Sequence, residues 1–162
     1  MTIADALVSL DGRYRYRLTR EWDAATKKMT FVMLNPSTAD ATLDDPTIRR
    51  CMGFAKRDGF GGIYVVNLYA FRATDPKDMK RAIDPVGSEN DMRLRFAFRR
   101  AAEQRAPIVA AWGTHGDPHR VRQVRASIDE AGADVYSLGT TKDGHPKHPL
   151  YIRADQPLEP YR

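Results

Sequence analysis

The sequence predicts an α/β fold: a three-layer α/β/α domain on a short, mainly parallel central sheet of about four strands, with an N-terminal antiparallel hairpin strand added. Three observations point to it. Short apolar runs recur along the chain, and segments with apolar residues at helical spacing lie between them. The runs lack polar alternation, as strands covered on both faces do. The chain has 162 residues and no repeat, low-complexity tract or linker to divide it, so residues 1–162 are read as a single α/β domain.

The elements follow in order. Tyr14, Tyr16 and Leu18 alternate with Arg13, Arg15 and Arg17, the period of a strand with one buried face and an arginine face toward solvent. Residues 23–28 read as a turn, and Met29 to Leu34 as a nearly continuous apolar strand. These two strands are expected to form a hairpin, the second lying at the centre of the sheet. Pro46 to Arg57 carries Ile48, Met52 and Ala55 at helical spacing and ends at the Gly59 to Gly62 turn. Ile63 to Leu68 is a second apolar strand, and Pro85 to Arg105 the longest helix, with Met92, Leu94, Phe96 and Phe98. Ile108 to Trp112 is a third strand, Pro118 to Ala131 a helix with Val121, Val124 and Ile128 inward, and Asp134 to Leu138 a fourth strand.

In such sheets ligands bind beyond the carboxyl ends of the strands. The segments there are Asn35-Pro36-Ser37-Thr38, Asn67 to Arg72, Gly113-Thr114-His115 and Gly139-Thr140-Thr141, and they are expected to converge on one site. Asn35 and Asn67 each leave a buried strand for a loop. An asparagine amide has no useful basicity, but its paired donor and acceptor can hold a water or read a polar ring edge. The alternative is that Asn35 only caps its turn. Asp45, before Pro46, has the position of a helix N-cap, while one of Asp40, Asp44 and Asp45 could orient a water. Phe54, Tyr69, Phe71 and Trp112 are core candidates, one of which could stack on a planar base.

Charge and composition bound the partners. Lys and Arg total 26 against 21 acidic residues, giving +5, and 19 of the 26 are arginine. Arginine's planar fork suits phosphate recognition, although an arginine-rich proteome from a GC-rich genome gives the same excess. The single cysteine, Cys51, excludes an intramolecular disulfide and a cysteine cluster. Residues 1–10 have neither the basic nor the apolar part of a secretion signal, and no run of about 18 apolar residues exists, so a reduced, cytoplasmic protein without a membrane span is expected. There is no Gly-x-Gly-x-x-Gly and no Walker loop, so no dinucleotide or other cofactor is expected. His115 and His119 are four apart, but Pro118 between them starts a helix, and no metal site is assigned.

Four segments resemble a bacterial family known as domain of unknown function 1643. They are Leu34 to Asp40, Arg49-Arg50-Cys51, Val66 to Arg72 and His148-Pro149-Leu150-Tyr151. The element order is also distantly similar to the uracil-DNA glycosylase superfamily, especially its mismatch-specific and thermostable branches. Leu34-Asn35-Pro36-Ser37 resembles the first motif of the mismatch-specific branch, with serine where that branch has glycine. Val65-Val66-Asn67-Leu68 is similar to a second strand that ends in a base-reading asparagine. Phe71-Arg72 loosely echoes a basic stretch, Pro107 to Gly113 a third strand, and His148-Pro149 the closing His-Pro pair. The four cluster cysteines of the thermostable branch are absent, and Asn35 stands where the most active branch has aspartate.

The resemblance implies a uracil-DNA glycosylase-like fold and a monofunctional DNA glycosylase-like hydrolase acting on a damaged or modified base. Asn35 would position the attacking water, and His148, as a neutral donor, would stabilise charge on the departing base. Asn67 and Phe71 would bind the base, and Arg49, Arg50, Arg72 and Arg153 would hold DNA phosphates. The rival reading is a non-catalytic protein of the same fold that binds nucleic acid or a free nucleotide. A metal-dependent hydrolase using the histidines is a third.

Overall fold

The computed structural model describes residues 1–162. Three strands, β1 (Ile3–Val8), β2 (Arg15–Glu21) and β3 (Lys28–Met33), come first, then α1 (Pro46–Arg57), β4 (Gly62–Asn67), α2 (Pro76–Arg81) and α3 (Asn90–Glu103). β5 (Ile108–Ala110), α4 (Pro118–Ala131), β6 (Val135–Ser137), a 3-10 turn at Pro149–Tyr151 and β7 (Glu159–Pro160) complete the chain. The fold is α/β. Its sheet is mixed and has seven strands in the order β1-β2-β4-β3-β5-β6-β7, more than the expected four and a hairpin strand. β4, β3, β5 and β6 are mutually parallel; β1, β2 and β7 are antiparallel additions at the edges. β1 has no buried residue and β7 only two residues, so neither leaves a hydrophobic period to read.

The expected hairpin of β2 with β3 does not form. β2 pairs with β1 and β4, while β3 sits between β4 and β5. The continuous apolar character of β3 does put it at the centre, and that is why β2 is displaced: a strand buried on both faces needs parallel neighbours under helices. The turn after β2 therefore crosses the entrance to β4. Trp22 N and Asp23 N both donate to Gly61 O, and Gly61 N donates to Lys27 O. A Cβ on Gly61 would lie 2.0 Å from Asp23 O, so the crossing needs glycine.

Two apolar clusters cover opposite faces of the sheet. Phe31, Met33, Ile63 and Val65 face one cluster, closed by Ile48, Cys51, Phe54 and Ala55 of α1. Val32, Leu34, Tyr64 and Val66 face the other, closed by Leu94, Phe98 and Ala101 of α3 and by Val124 and Ile128 of α4. Consecutive residues of each strand thus go to different clusters, as a period of two requires. Within α3, Met92 and Phe96 are exposed and only Leu94 and Phe98 of the four expected apolar residues are buried. The helix also begins at Asn90 instead of Pro85. Asp84 and Gly87 form a turn, with Gly87 N donating to Asp84 Oδ1 and Gly87 at φ 92°, which ends any helical run there. No helix is long and apolar enough to cross a membrane.

One strand departs from its period in a way that shapes the site. The β1–β2 register shifts between Leu7, opposite Arg17, and Val8, opposite Arg15, leaving Tyr16 as the extra residue of a bulge. Arg17 pairs with Asp5. Arg15 turns instead to the α1 side, where Nη1 donates to Ala39 O at 2.8 Å and the residue is 2% exposed. Its expected place on a solvent face is overturned by that one inserted residue.

Two glycines give opposite expectations. Gly61→Ala forces the crossing apart and should cost about 1–3 kcal/mol. Gly53→Ala, inside α1 with nothing within 4 Å of the new methyl, should stabilise by roughly 0.5–1 kcal/mol. Urea unfolding midpoints of the two variants against the parent measure both.

Candidate functional site

Beyond the carboxyl ends of β3, β4 and β5 lies a cleft of about 820 Å³. All four segments expected at the strand ends reach it, through Asn35, Ser37 and Thr38, through Asn67, through Gly113, Thr114 and His115, and through Thr141. Lys147, His148 and Tyr151 close it from the C-terminal loop, and the first residues of α1 from one side. Asn35, Asn67 and His148 therefore share one cleft.

Asn67 ends β4 opposite Met33 and is 1% exposed. Neither its Oδ1 nor its Nδ2 has a hydrogen-bond partner. Leaving such groups unpaired costs about 1–3 kcal/mol each, so a complementary ligand edge would recover energy the fold has left unspent. Its backbone is fixed: Asn90 Nδ2 donates to Asn67 O at 3.1 Å and to Leu68 O at 3.2 Å. Asn35 is used differently. Its Nδ2 donates to Pro36 O and Ala73 O, which ties two loops together and leaves Oδ1 as the free acceptor. Both turn stabilisation and a polar atom on the cleft come from the same side chain.

His148 caps the 3-10 turn, with Nδ1 accepting from Leu150 N at 3.2 Å. That bond assigns the neutral ring's proton to Nε2. Burial holds its pKa below the usual 6.5, and the negative charge of Asp45 opposes the shift only in part. The ring is thus a neutral donor at neutral pH, and its own backbone neighbourhood sets the tautomer.

Of two further cleft residues, Arg15 lacked a functional signal in the sequence, and Asp45 carried one as an N-cap that could orient a water. Arg15 was hidden because the bulge that re-aims it has no period of its own. Burial lowers its pKa to about 10, and Asp45 offsets part of that effect, so it remains a cation at neutral pH. Asp45 is the α1 N-cap the sequence predicts, with Oδ1 accepting from Ile48 N at 2.9 Å and Oδ2 from Ala39 N at 3.4 Å. It also lines the cleft. The Asp-Pro pair right after the first loop was the available sign.

Other expected residues lie elsewhere. Phe71 does not line the cleft; its ring packs edge-on against Tyr14 at 5.7 Å, and the aromatic surfaces that do reach the cleft are Trp112 and Tyr151. Arg50 donates to Pro149 O and Ile152 O, and Arg72 to Ser37 O and Gly12 O, so these two hold loops. Arg49 bonds Asp44 O, and Arg153 pairs with Asp155 in an exposed position. His115 is on the cleft, whereas His119 lies on α4 beside Gln123, and no three His, Cys, Asp or Glu side chains gather as a metal site. Cys51 is fully buried, and burial pushes its thiol up, away from a reactive thiolate.

The His148 geometry gives a pH test. By nitrogen-detected NMR, His148 should be the Nε2–H tautomer and titrate below 6.5. Between that lowered value and 6.5 the unfolded chain binds more protons than the folded one. Its contribution to stability is therefore full above about 6.5 and declines as the pH falls through that interval. His148→Gln should flatten this part of the stability curve.

Comparison with known proteins adds a family. No curated protein sequence matches the chain. Among solved structures, a chain of the hetero-hexameric glutamate dehydrogenase from Thermus thermophilus (Leu-bound form) is similar at 13% identity and a TM-score of 0.35, over 82% of this chain and 31% of that one. This chain spans less than a third of that chain's length, and a likeness at that score carries no argument. The family described as "Protein of unknown function (DUF1643)" matches residues 15–150, from the start of β2 to the 3-10 turn, and this chain belongs to that family.

Proposed function

We propose that the protein is a DNA glycosylase-like hydrolase that admits a damaged or modified base to the cleft and cleaves its N-glycosidic bond. The observation that carries this reading is Asn67, an amide with both polar atoms buried in the cleft and unpartnered. A nucleobase edge that offers an acceptor beside a donor is complementary to it. Helices on both faces of a partly parallel sheet also agree with the three-layer, uracil-DNA glycosylase-like arrangement.

The chemistry would run as follows. A base in a duplex is first flipped out of the stack. The bond between the sugar carbon and the base nitrogen breaks, its electron pair leaves with the base, and water adds to the sugar. The products are a free base carrying the proton and an abasic sugar. His148 Nε2–H would donate to the oxygen on which negative charge grows, a preorganised contribution of roughly 3–4 kcal/mol. Asn35 Oδ1 would accept a hydrogen bond from the water and orient it. An amide cannot take the proton, so the reaction would depend on stabilising the leaving base and would favour bases that leave easily.

A second reading is favoured by one specific observation. Asp45 is the only carboxylate on the cleft, and main-chain N–H groups bond both of its oxygens. Without a free carboxylate to take the water's proton, the cleft suits a protein that binds nucleic acid or a nucleotide without cleaving it.

Oligonucleotides carrying uracil, hypoxanthine or a 5-substituted pyrimidine, incubated with the protein and then with alkali, separate the two. Strand breaks at the modified base are expected. His148→Ala should lower their rate by about 10²–10³-fold, and Asn35→Ala and Asn67→Ala should also lose product with folding intact. Binding without breaks across the whole panel would favour the second reading.

A further inference from the structure

We propose that Arg15, together with the N-terminal end of α1, is a binding site for a phosphate group of the nucleotide ligand. The inference rests on the base-reading role of the cleft and names a second group on that ligand.

Arg15 is 2% exposed and lines the cleft. Its guanidinium makes one hydrogen bond, from Nη1 to Ala39 O. Nε is buried without a partner, and no acceptor in the chain bonds Nη2, so the edge formed by these two nitrogens is free. No carboxylate stands within ion-pair distance of it. A buried cation whose one hydrogen bond goes to a carbonyl, with its nearest counter-charge, Asp45, beyond ion-pair distance, is costly. Two parallel N–H donors on one edge match two oxygens of a phosphate, which also brings the missing charge.

The surroundings fit the same ligand. Pro46, Thr47 and Ile48, the first turn of the twelve-residue α1, line the same cleft. A helix N-terminus carries a partial positive charge and favours anions. Ser37 and Thr38 add hydroxyls from the loop that leads into α1. The one negative group there, Asp45, already accepts bonds from Ile48 N and Ala39 N, so it is oriented toward the backbone. Arg50 and Arg72 are engaged with loop carbonyls, which leaves Arg15 as the arginine with a free edge on the cleft.

The phosphate could belong to a free nucleotide or to a strand, and the probes tell these apart. Inorganic phosphate, deoxyuridine, deoxyuridine 5′-monophosphate and a uracil-containing nonamer are titrated calorimetrically at constant ionic strength. Phosphate and both phosphate-bearing probes should bind, and Arg15→Gln should weaken each by about tenfold or more. Arg15→Lys, which keeps the charge and loses the fork, should recover only part. Thr47→Glu keeps Arg15 and its loop bond, and a carboxylate in the first turn suits a helix. It should still abolish phosphate binding, which guards against a misfolded Arg15 variant.

A mononucleotide that binds as tightly as the nonamer assigns the phosphate to a free nucleotide, and a markedly tighter nonamer assigns it to a strand. Either result, if lost in Arg15→Gln, supports the proposal. Asn67→Ala should spare inorganic phosphate while weakening deoxyuridine. If phosphate binds through Arg15 but deoxyuridine binding ignores Asn67, the base-reading role fails and the phosphate site stands. The phosphate site is overturned if inorganic phosphate does not bind, or binds Arg15→Gln and Thr47→Glu unchanged. It is also overturned if Arg15→Gln weakens deoxyuridine as much as its monophosphate, since Arg15 would then read the base.

Discussion

Main-chain carbonyls in a loop have no ladder to join, and around this cleft arginine side chains take them up. Arg15 donates to Ala39 O, Arg20 to Asp40 O and Leu43 O, and Arg72 to Ser37 O, which together hold the loop between β3 and α1. Arg50 donates to Pro149 O and Ile152 O, and Arg57 to Ala154 O and Gln156 O, which hold the C-terminal loop behind His148. The fork reaches two acceptors from one side chain, which a lysine ammonium on its flexible stem does less well. Phe54 lies under both Arg50 and Arg57, at 5.1 Å from each, and steadies them. The arginine excess therefore finds much of its use inside the molecule. A loop pinned in this way presents its polar groups at fixed positions, which is what a binding cleft requires.

Three asparagines show how partners divide one chemistry. Asn90 spends its donor on the backbone at the end of β4, and Asn35 spends its donors on two loop carbonyls. Asn67, held by the first of these, spends nothing. The fold thus uses two amides to position surroundings and leaves the third open at the floor of the cleft. Its neighbours on the sheet, Val65 and Met33, are apolar and buried, and their side chains offer it no hydrogen bond.

Much of this was legible in the order of residues. Strands β3, β4 and β5 carry apolar runs because both their faces are covered, and the helices between the strands carry helical spacing, so α/β and the strand ends follow directly. The loops that converge on the cleft follow from the parallel connection. Asp45-Pro46 and Asp117-Pro118 announce their helix starts through local capping alone. Helix α2 escaped although Asp75-Pro76 caps it in the same way, because six residues leave no period to read; the rest of what escaped had no local signal. β1 is an exposed edge strand, the pairing of β2 with β4 depends on contacts between residues some 45 positions apart, and the bulge at Tyr16 reverses Arg15 without altering composition.

Sequence by itself determined the α/β class, the starts of α1 and α4 and the presence of Asn35, Asn67 and His148 at strand and loop ends, because periodicity and capping act over a few residues. Tertiary structure decided which polar atoms distant parts of the chain occupy, such as those of Arg15 and Arg50, and that Asn67 is left open. Whether an arginine grips a carbonyl or keeps an open edge, and whether an asparagine is tied or free, depends on which distant backbone comes within 3 Å of it. That distance is set by packing, and no neighbour in the chain records it.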